Sequence, residues 1–151
     1  MRPDLRELYQ EVIIDHTKRP RNFRALDRGA RCAEGYNPLC GDKVTVYVDV
    51  ADDKVRDVTF QGSGCAISTA ATSLMTEAVK GKSIADAVRL FDRFHALVTG
   101  DAVALEHAEA LGKLGVFAGV SEFPSRVKCA VLAWHTLKAA LKGEQTPVST
   151  E

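Results

Sequence analysis

The sequence predicts an α+β fold in which a small antiparallel β-sheet of about three strands packs against about five helices. Three observations carry that prediction. Apolar residues alternate from Val44 to Val50 and again at Val58 and Phe60, on either side of an acidic turn. Helical periodicity precedes this hairpin, and helical periodicity resumes after Gly64 and continues to Gly143. Strands adjacent in sequence, with the helices grouped before and after them, form antiparallel pairs rather than parallel crossovers.

Each element has its own signature. Leu5, Leu8, Tyr9, Val12 and Ile13 fall at i, i+3, i+4, i+7 and i+8 with Arg6, Glu7 and Glu11 between them, an amphipathic helix that Pro20 closes. The stretch from Arg19 to Pro38 is polar and irregular, with a short strand at Arg31 to Glu34. Val44, Val46, Val48 and Val50 alternate with Thr45, Tyr47 and Asp49, so one face of this strand is buried. Asp52-Asp53-Lys54 turns the chain back. Beyond Gly62-Ser63-Gly64, Ile67, Ala71, Leu74, Met75, Ala78 and Val79 share a helix face, and Gly81 stands where a C-terminal cap belongs. Ser83, with Asp86 three residues on, starts a second helix carrying Ile84, Val88 and Phe91. A weaker helix is expected from Asp101 to Leu114. The last begins near Ser125, presents Ala130, Trp134, Leu137 and Leu141 as one stripe, and stops at Gly143. Residues 1–143 read as one domain and 144–151 as a frayed polar tail.

Composition narrows the function. A chain of 151 residues buries enough surface to fold without cross-links, which leaves its four cysteines free for chemistry. Twenty basic against twenty acidic residues give no net charge, so nucleic acid is not an expected partner. No apolar run approaches the ~20 residues needed to span a bilayer, and the charged N-terminal segment lacks a signal-peptide core, so no membrane partner is expected. The expected compartment is the cytoplasm, where thiols stay reduced and well-placed cysteines serve as metal ligands or nucleophiles.

Three cysteines occupy special places. Cys40 lies in the loop Asn37-Pro38-Leu39-Cys40-Gly41-Asp42, Cys65 ends a glycine-rich strand-to-helix turn, and Cys129 falls in the first turn of the last helix. A helix N-terminus favours thiolate over thiol. At about 100° per residue, Cys129 points about 130° from the centre of the Trp134 stripe and is expected off the core. Asp42 is the candidate fourth ligand, because an extended Cys-x-Asp places both side chains on one side of the chain. Three thiolates and a carboxylate suit tetrahedral zinc, or an incomplete ligand set for an iron–sulfur cluster. The turn Gly62-Ser63-Gly64 has no third glycine and no Gly-Lys-Ser/Thr, so it is not read as a phosphate loop.

Asn37-Pro38-x-Cys40-Gly41-Asp42, Phe60 to Ser68 (FQGSGCAIS), and Phe123-Pro124-x-Arg126-Val127-Lys128-Cys129-Ala130 resemble the three cysteine motifs of the IscU/SufU family. Asp15-His16-x-x-x-Pro20-Arg21-Asn22 resembles its N-terminal signature, and the likeness extends over about residues 4–143. Lys128 stands where IscU scaffolds have a histidine, and residues 99–120 resemble the extra stretch of SufU proteins; both favour the SufU branch. The resemblance implies Cys40, Asp42, Cys65 and Cys129 as ligands of one zinc ion. It implies Cys40 as the acceptor of persulfide sulfur from a SufS-type cysteine desulfurase, with the downstream Suf cluster-assembly machinery as recipient. The other reading is a scaffold on which the same residues assemble and pass on a transient [2Fe-2S] cluster; a purely structural zinc domain is a third.

The remaining residues are assigned blander roles. Cys32, outside the motifs, reads as a packing residue or a spare redox thiol. His16 reads as structural, just beyond the first helix, where it complements the dipole, and His95, His107 and His135 as surface or packing residues. Arg126 and Lys128 flank Cys129, where they would meet a partner's acidic groups, help to hold a thiolate, or remain solvated.

Overall fold

The computed structural model describes residues 3–26, 30–143 and 148–149, with side chains from Gln10 onward. Helix α1 (Pro3–Lys18) leads into strands β1 (Arg31–Asn37), β2 (Asp42–Ala51) and β3 (Lys54–Ser63). Helices α2 (Ala66–Val79), α3 (Ile84–Val98) and α4 (Ala102–Glu106), a 3-10 segment (Ala108–Glu122) and helix α5 (Pro124–Lys142) follow. The sheet runs β3-β2-β1 antiparallel, as expected. A fourth, two-residue strand β4 (Val148–Ser149) lies parallel to β1 at Gly35 and Tyr36, inside the segment expected to be a frayed tail; the rest of that tail, like the side chains of Leu5, Leu8 and Tyr9, lies outside the described residues.

The β2–β3 hairpin closes on Asp52 and Asp53, both left-handed (φ 54° and 60°), the geometry that matches strand twist in a two-residue turn. Val44, Val46, Val48, Val55, Val58 and Phe60 form its buried face. Against that face packs α5, and here the single apolar stripe is too narrow a description. Ala130 to Trp134, and Thr136 and Leu137, are all buried, because the sheet covers one side of α5 while α2, α3 and the 3-10 segment cover others. Trp134 stacks on Phe94 and Phe91 of α3, with ring centroids 5.2 and 6.0 Å away. Gly35 lets α5 approach β1: a Cβ there would stand 2.1 Å from the Thr136 hydroxyl oxygen. Gly143 ends α5 in the left-handed conformation.

Two local expectations are corrected. The helix expected over Asp101–Leu114 is one short α-helix capped by the Asp101 side chain, followed by 3-10 turns. Gly112, Gly115 and Gly119 remove side-chain packing and backbone stiffness from that stretch, and Gly112 sits at φ 60° within it. His16 is inside α1, not beyond it, and is buried against α2: its Nδ1 lies 2.7 Å from the Ser73 hydroxyl. The same hydroxyl oxygen accepts the Arg21 N–H at 2.8 Å, and the other ring nitrogen of His16, Nε2, lies 3.6 Å from a Glu77 carboxylate oxygen. With Arg21 paired to Asp15 (2.6 Å) and the Asn22 amide donating to Thr76 (3.0 Å), the motif from Asp15 to Asn22 clamps α1 and the following turn onto α2.

Candidate metal centre

The β1–β2 hairpin builds the centre. Asn37 and Asp42 face each other across its end, and the Asn37 carbonyl accepts the Cys40 N–H at 3.2 Å, folding the loop that carries Cys40. Asn37 and Asp42 are almost fully buried, whereas Cys40 is exposed. Asp42 Oδ1 accepts the main-chain N–H of Cys65 at 2.8 Å, and its Oδ2 lies 3.8 Å from the Cys65 sulfur. Gly64 makes room for this contact: a Cβ there would meet Asp42 Oδ1 at 2.5 Å. Cys65 itself is the N-cap of α2, half-buried, its sulfur accepting the Ser68 N–H at 3.4 Å.

Cys129 departs from expectation in two ways. Because α5 begins at Pro124, Cys129 lies in its second turn, beyond the free N–H groups of the helix start. It is also buried, 2% exposed, because the end of the β1–β2 hairpin covers the side of α5 that the apolar stripe leaves open. Its sulfur is 3.2 Å from the Cys40 sulfur, and the Asn37 amide nitrogen donates to it at 3.6 Å. Burial pushes the Cys129 thiol far up, and its neighbours Asp42, Cys40 and Cys65 push it further. The helix start therefore does not make this group a thiolate; a positive charge among the neighbours would.

These side chains suit a metal ion. The ligand atoms of Cys40, Asp42 and Cys129 all lie within 4.8 Å of one another, and Cys65 joins through Asp42. Tetrahedral zinc about 2.3 Å from each sulfur needs ligand atoms about 3.8 Å apart, close to the spacings already present. The arrangement can thus gather three sulfurs and one oxygen, with one of the four residues, Cys40, exposed on its loop.

Around it, Leu39 and Phe123 expose apolar surface, and the Arg126 guanidinium lies over the Phe123 ring at 4.7 Å. Cys32 points to solvent from β1 and is not the packing residue expected. His95 and His107 are exposed and His135 is half-buried, all away from the thiols. Asn37, which opens the first cysteine motif, pairs with Asp42 at the end of the hairpin, and its side chain reaches Cys129. Among the described residues, no helix is long and apolar enough to cross a membrane.

Comparison with known proteins shows the family. Residues 8–130 match the family described as the NifU-like N terminal domain. The chain is 44% identical over 138 residues to the iron–sulfur cluster assembly scaffold protein IscU of Streptococcus pyogenes serotype M1, covering 91% of this chain and 85% of that protein. It is 37% identical over 142 residues to the zinc-dependent sulfurtransferase SufU of Bacillus subtilis, covering 94% and 95%. A crystal structure of a putative iron–sulfur cluster assembly scaffold protein for the SUF system from Fervidobacterium islandicum superimposes with a TM-score of 0.78 at 36% identity, over 89% of this chain and 97% of that one. The chain belongs to the NifU-like N-terminal domain family, among the IscU- and SufU-type iron–sulfur cluster assembly proteins.

Proposed function

We propose that this protein is a sulfur acceptor and sulfurtransferase in iron–sulfur cluster assembly, taking persulfide sulfur onto Cys40 from a SufS-type cysteine desulfurase and passing it to the downstream Suf machinery. The observation that carries this reading is the unequal exposure of the clustered thiols: Cys40 is exposed on a loop, whereas Cys65 is half-buried at a helix cap and Cys129 is buried. Cys40, Asp42, Cys65 and Cys129 would hold zinc, whose charge keeps the clustered sulfurs deprotonated at neutral pH. In the transfer, the Cys40 thiolate attacks the terminal sulfur of the donor persulfide. A new S–S bond forms at Cys40, the donor's S–S bond breaks, and the donor cysteine leaves as thiolate. The exposed loop lets Cys40 reach a partner's sulfur, while the buried Asp42 and Cys129 stay in place.

The test is to incubate the protein with the desulfurase and cysteine, alkylate, and map the persulfide by mass spectrometry. Persulfide on Cys40, lost in Cys40→Ser together with stimulation of desulfurase turnover, is expected. Persulfide mainly on Cys65, Cys129 or Cys32 overturns the reading. The relative from S. pyogenes is named as a scaffold, and that favours a second reading, assembly and transfer of a transient [2Fe-2S] cluster on the same residues. Metal analysis of protein purified without added metal separates the two. About one zinc per chain in a colourless protein supports the sulfurtransferase; iron with a visible absorption band after reconstitution supports the scaffold.

A further inference from the structure

We propose that the side-chain amide of Asn37 is a positioning group of the metal centre, donating its N–H to the Cys129 sulfur and so setting how firmly the metal is held. The proposal rests on the zinc reading of the centre and concerns a residue that reading leaves without a role.

Asn37 is 0% exposed, and burial of a primary amide is costly unless its polar atoms are used. Its side-chain nitrogen reaches the Cys129 sulfur at 3.6 Å, while Oδ1 has no hydrogen-bond partner among the described residues. The amide is thus kept in the interior with its N–H directed at a candidate ligand. A sulfur committed to a metal has no proton to give and presents only acceptor lone pairs, so the N–H end of the amide is the end that must face it. Groups that hydrogen-bond a metal ligand fix its orientation and tune its donor strength.

The placement of Asn37 strengthens the case. Asn37 and Asp42 close the same hairpin as a cross-strand pair, and each reaches one of the helix-borne cysteines: Asp42 the Cys65 N–H, Asn37 the Cys129 sulfur. The Asn37 carbonyl also holds the Cys40 N–H. One residue therefore ties the loop of the exposed sulfur to the buried sulfur.

The experiment compares the wild-type chain with Asn37→Leu, which is close in shape but has no donor, and Asn37→Ala, which loses the side chain. Zinc affinity is measured by chelator competition, and the cobalt-substituted proteins are examined for their sulfur-to-cobalt charge-transfer band. Both variants are expected to hold zinc about 10- to 100-fold more weakly. In both, the band is expected to move to longer wavelength, because a sulfur without the hydrogen bond gives up its electrons more easily. Circular dichroism of the zinc-free proteins identifies a variant that fails to fold, and the conclusion then rests on the other. Unchanged affinity and band overturn the proposal. Weaker zinc binding with an unmoved band overturns it too, since a merely structural role would act that way. A wild-type protein that takes up neither zinc nor cobalt overturns the zinc reading itself, and the proposal with it.

Discussion

Cys65 and Cys129 reach the same cluster from two dissimilar neighbourhoods. The turn Gly62 to Cys65 is half-open: its sulfur accepts a main-chain N–H at a helix cap, and its backbone is pinned by the Asp42 carboxylate. The second turn of α5 is closed, and the Cys129 sulfur is met by side chains, among them the Cys40 thiol and the Asn37 amide. A main-chain donor comes from local helix geometry, whereas side-chain donors come only from packing. The Cys65 neighbourhood should therefore tolerate distant change and fail with its own turn, and the Cys129 neighbourhood should fail whenever α5 shifts against the sheet.

The largest expected effect is at Cys129. Cys129→Ser is expected to abolish stoichiometric zinc retention and remove the stabilisation that zinc provides, which reaches several kcal/mol for structural zinc. Metal analysis and thermal melts with and without chelator check this. Gly35→Ala, not itself a ligand, pushes a methyl group into Thr136 and is expected to cost about 1–3 kcal/mol by denaturant unfolding. Zinc retention should fall with it, because α5 carries Cys129 away from the hairpin. Zinc affinity equal to wild type would show that the closed neighbourhood is less dependent on packing than argued.

Gly64→Ala tests the open neighbourhood. Its Cβ displaces the Asp42 carboxylate from the Cys65 N–H, leaving both without their partner, at about 1–2 kcal/mol. Asp42→Ala loses the same bond as well as a ligand atom, yet zinc is expected to stay on three sulfurs while the rate of sulfur transfer changes. A metal-free Asp42→Ala protein would show that the carboxylate dominates the ligand set.

The smallest effects separate cap from ligand and probe the clamp between α1 and α2. In the zinc-free protein Cys65→Ser keeps an N-cap acceptor and should leave stability unchanged, whereas Cys65→Ala should cost up to about 1 kcal/mol. Burial first, and the Arg21 charge next, hold the His16 imidazole below its ordinary value. The unfolded chain therefore binds more protons than the native one between that lowered value and about 6.5. Stability is fully present above this window and is lost as pH falls through it. Melting temperatures measured from pH 7.5 to pH 5.5 should fall for the wild type and fall less for His16→Asn.

Much of this was legible in the chain itself. Alternating valines define a hairpin because a half-buried strand exposes every second residue, and Ser83 and Gly143 mark helix ends because their chemistry meets unpaired main-chain groups. Cys40, Cys65 and Cys129, with Asp42, stood out by their places at a loop and near helix starts. The 3-10 segment was not legible, since its glycines speak against a long helix without naming the turns that replace it. Nor was the role of His16, whose partner Ser73 lies 57 residues away.

By itself, then, the sequence determined the order of the elements and which residue types are available for metal chemistry, because these depend on local periodicity and on neighbours a few positions away. Only the tertiary structure decided which of those groups are buried. The burial of Cys129, the commitment of one Asp42 oxygen to Cys65, the exposure of Cys40 and the inward amide of Asn37 follow from how the hairpin end closes over α5 and α2. Burial and hydrogen bonding between residues 23 to 92 positions apart depend on packing, which no local pattern encodes.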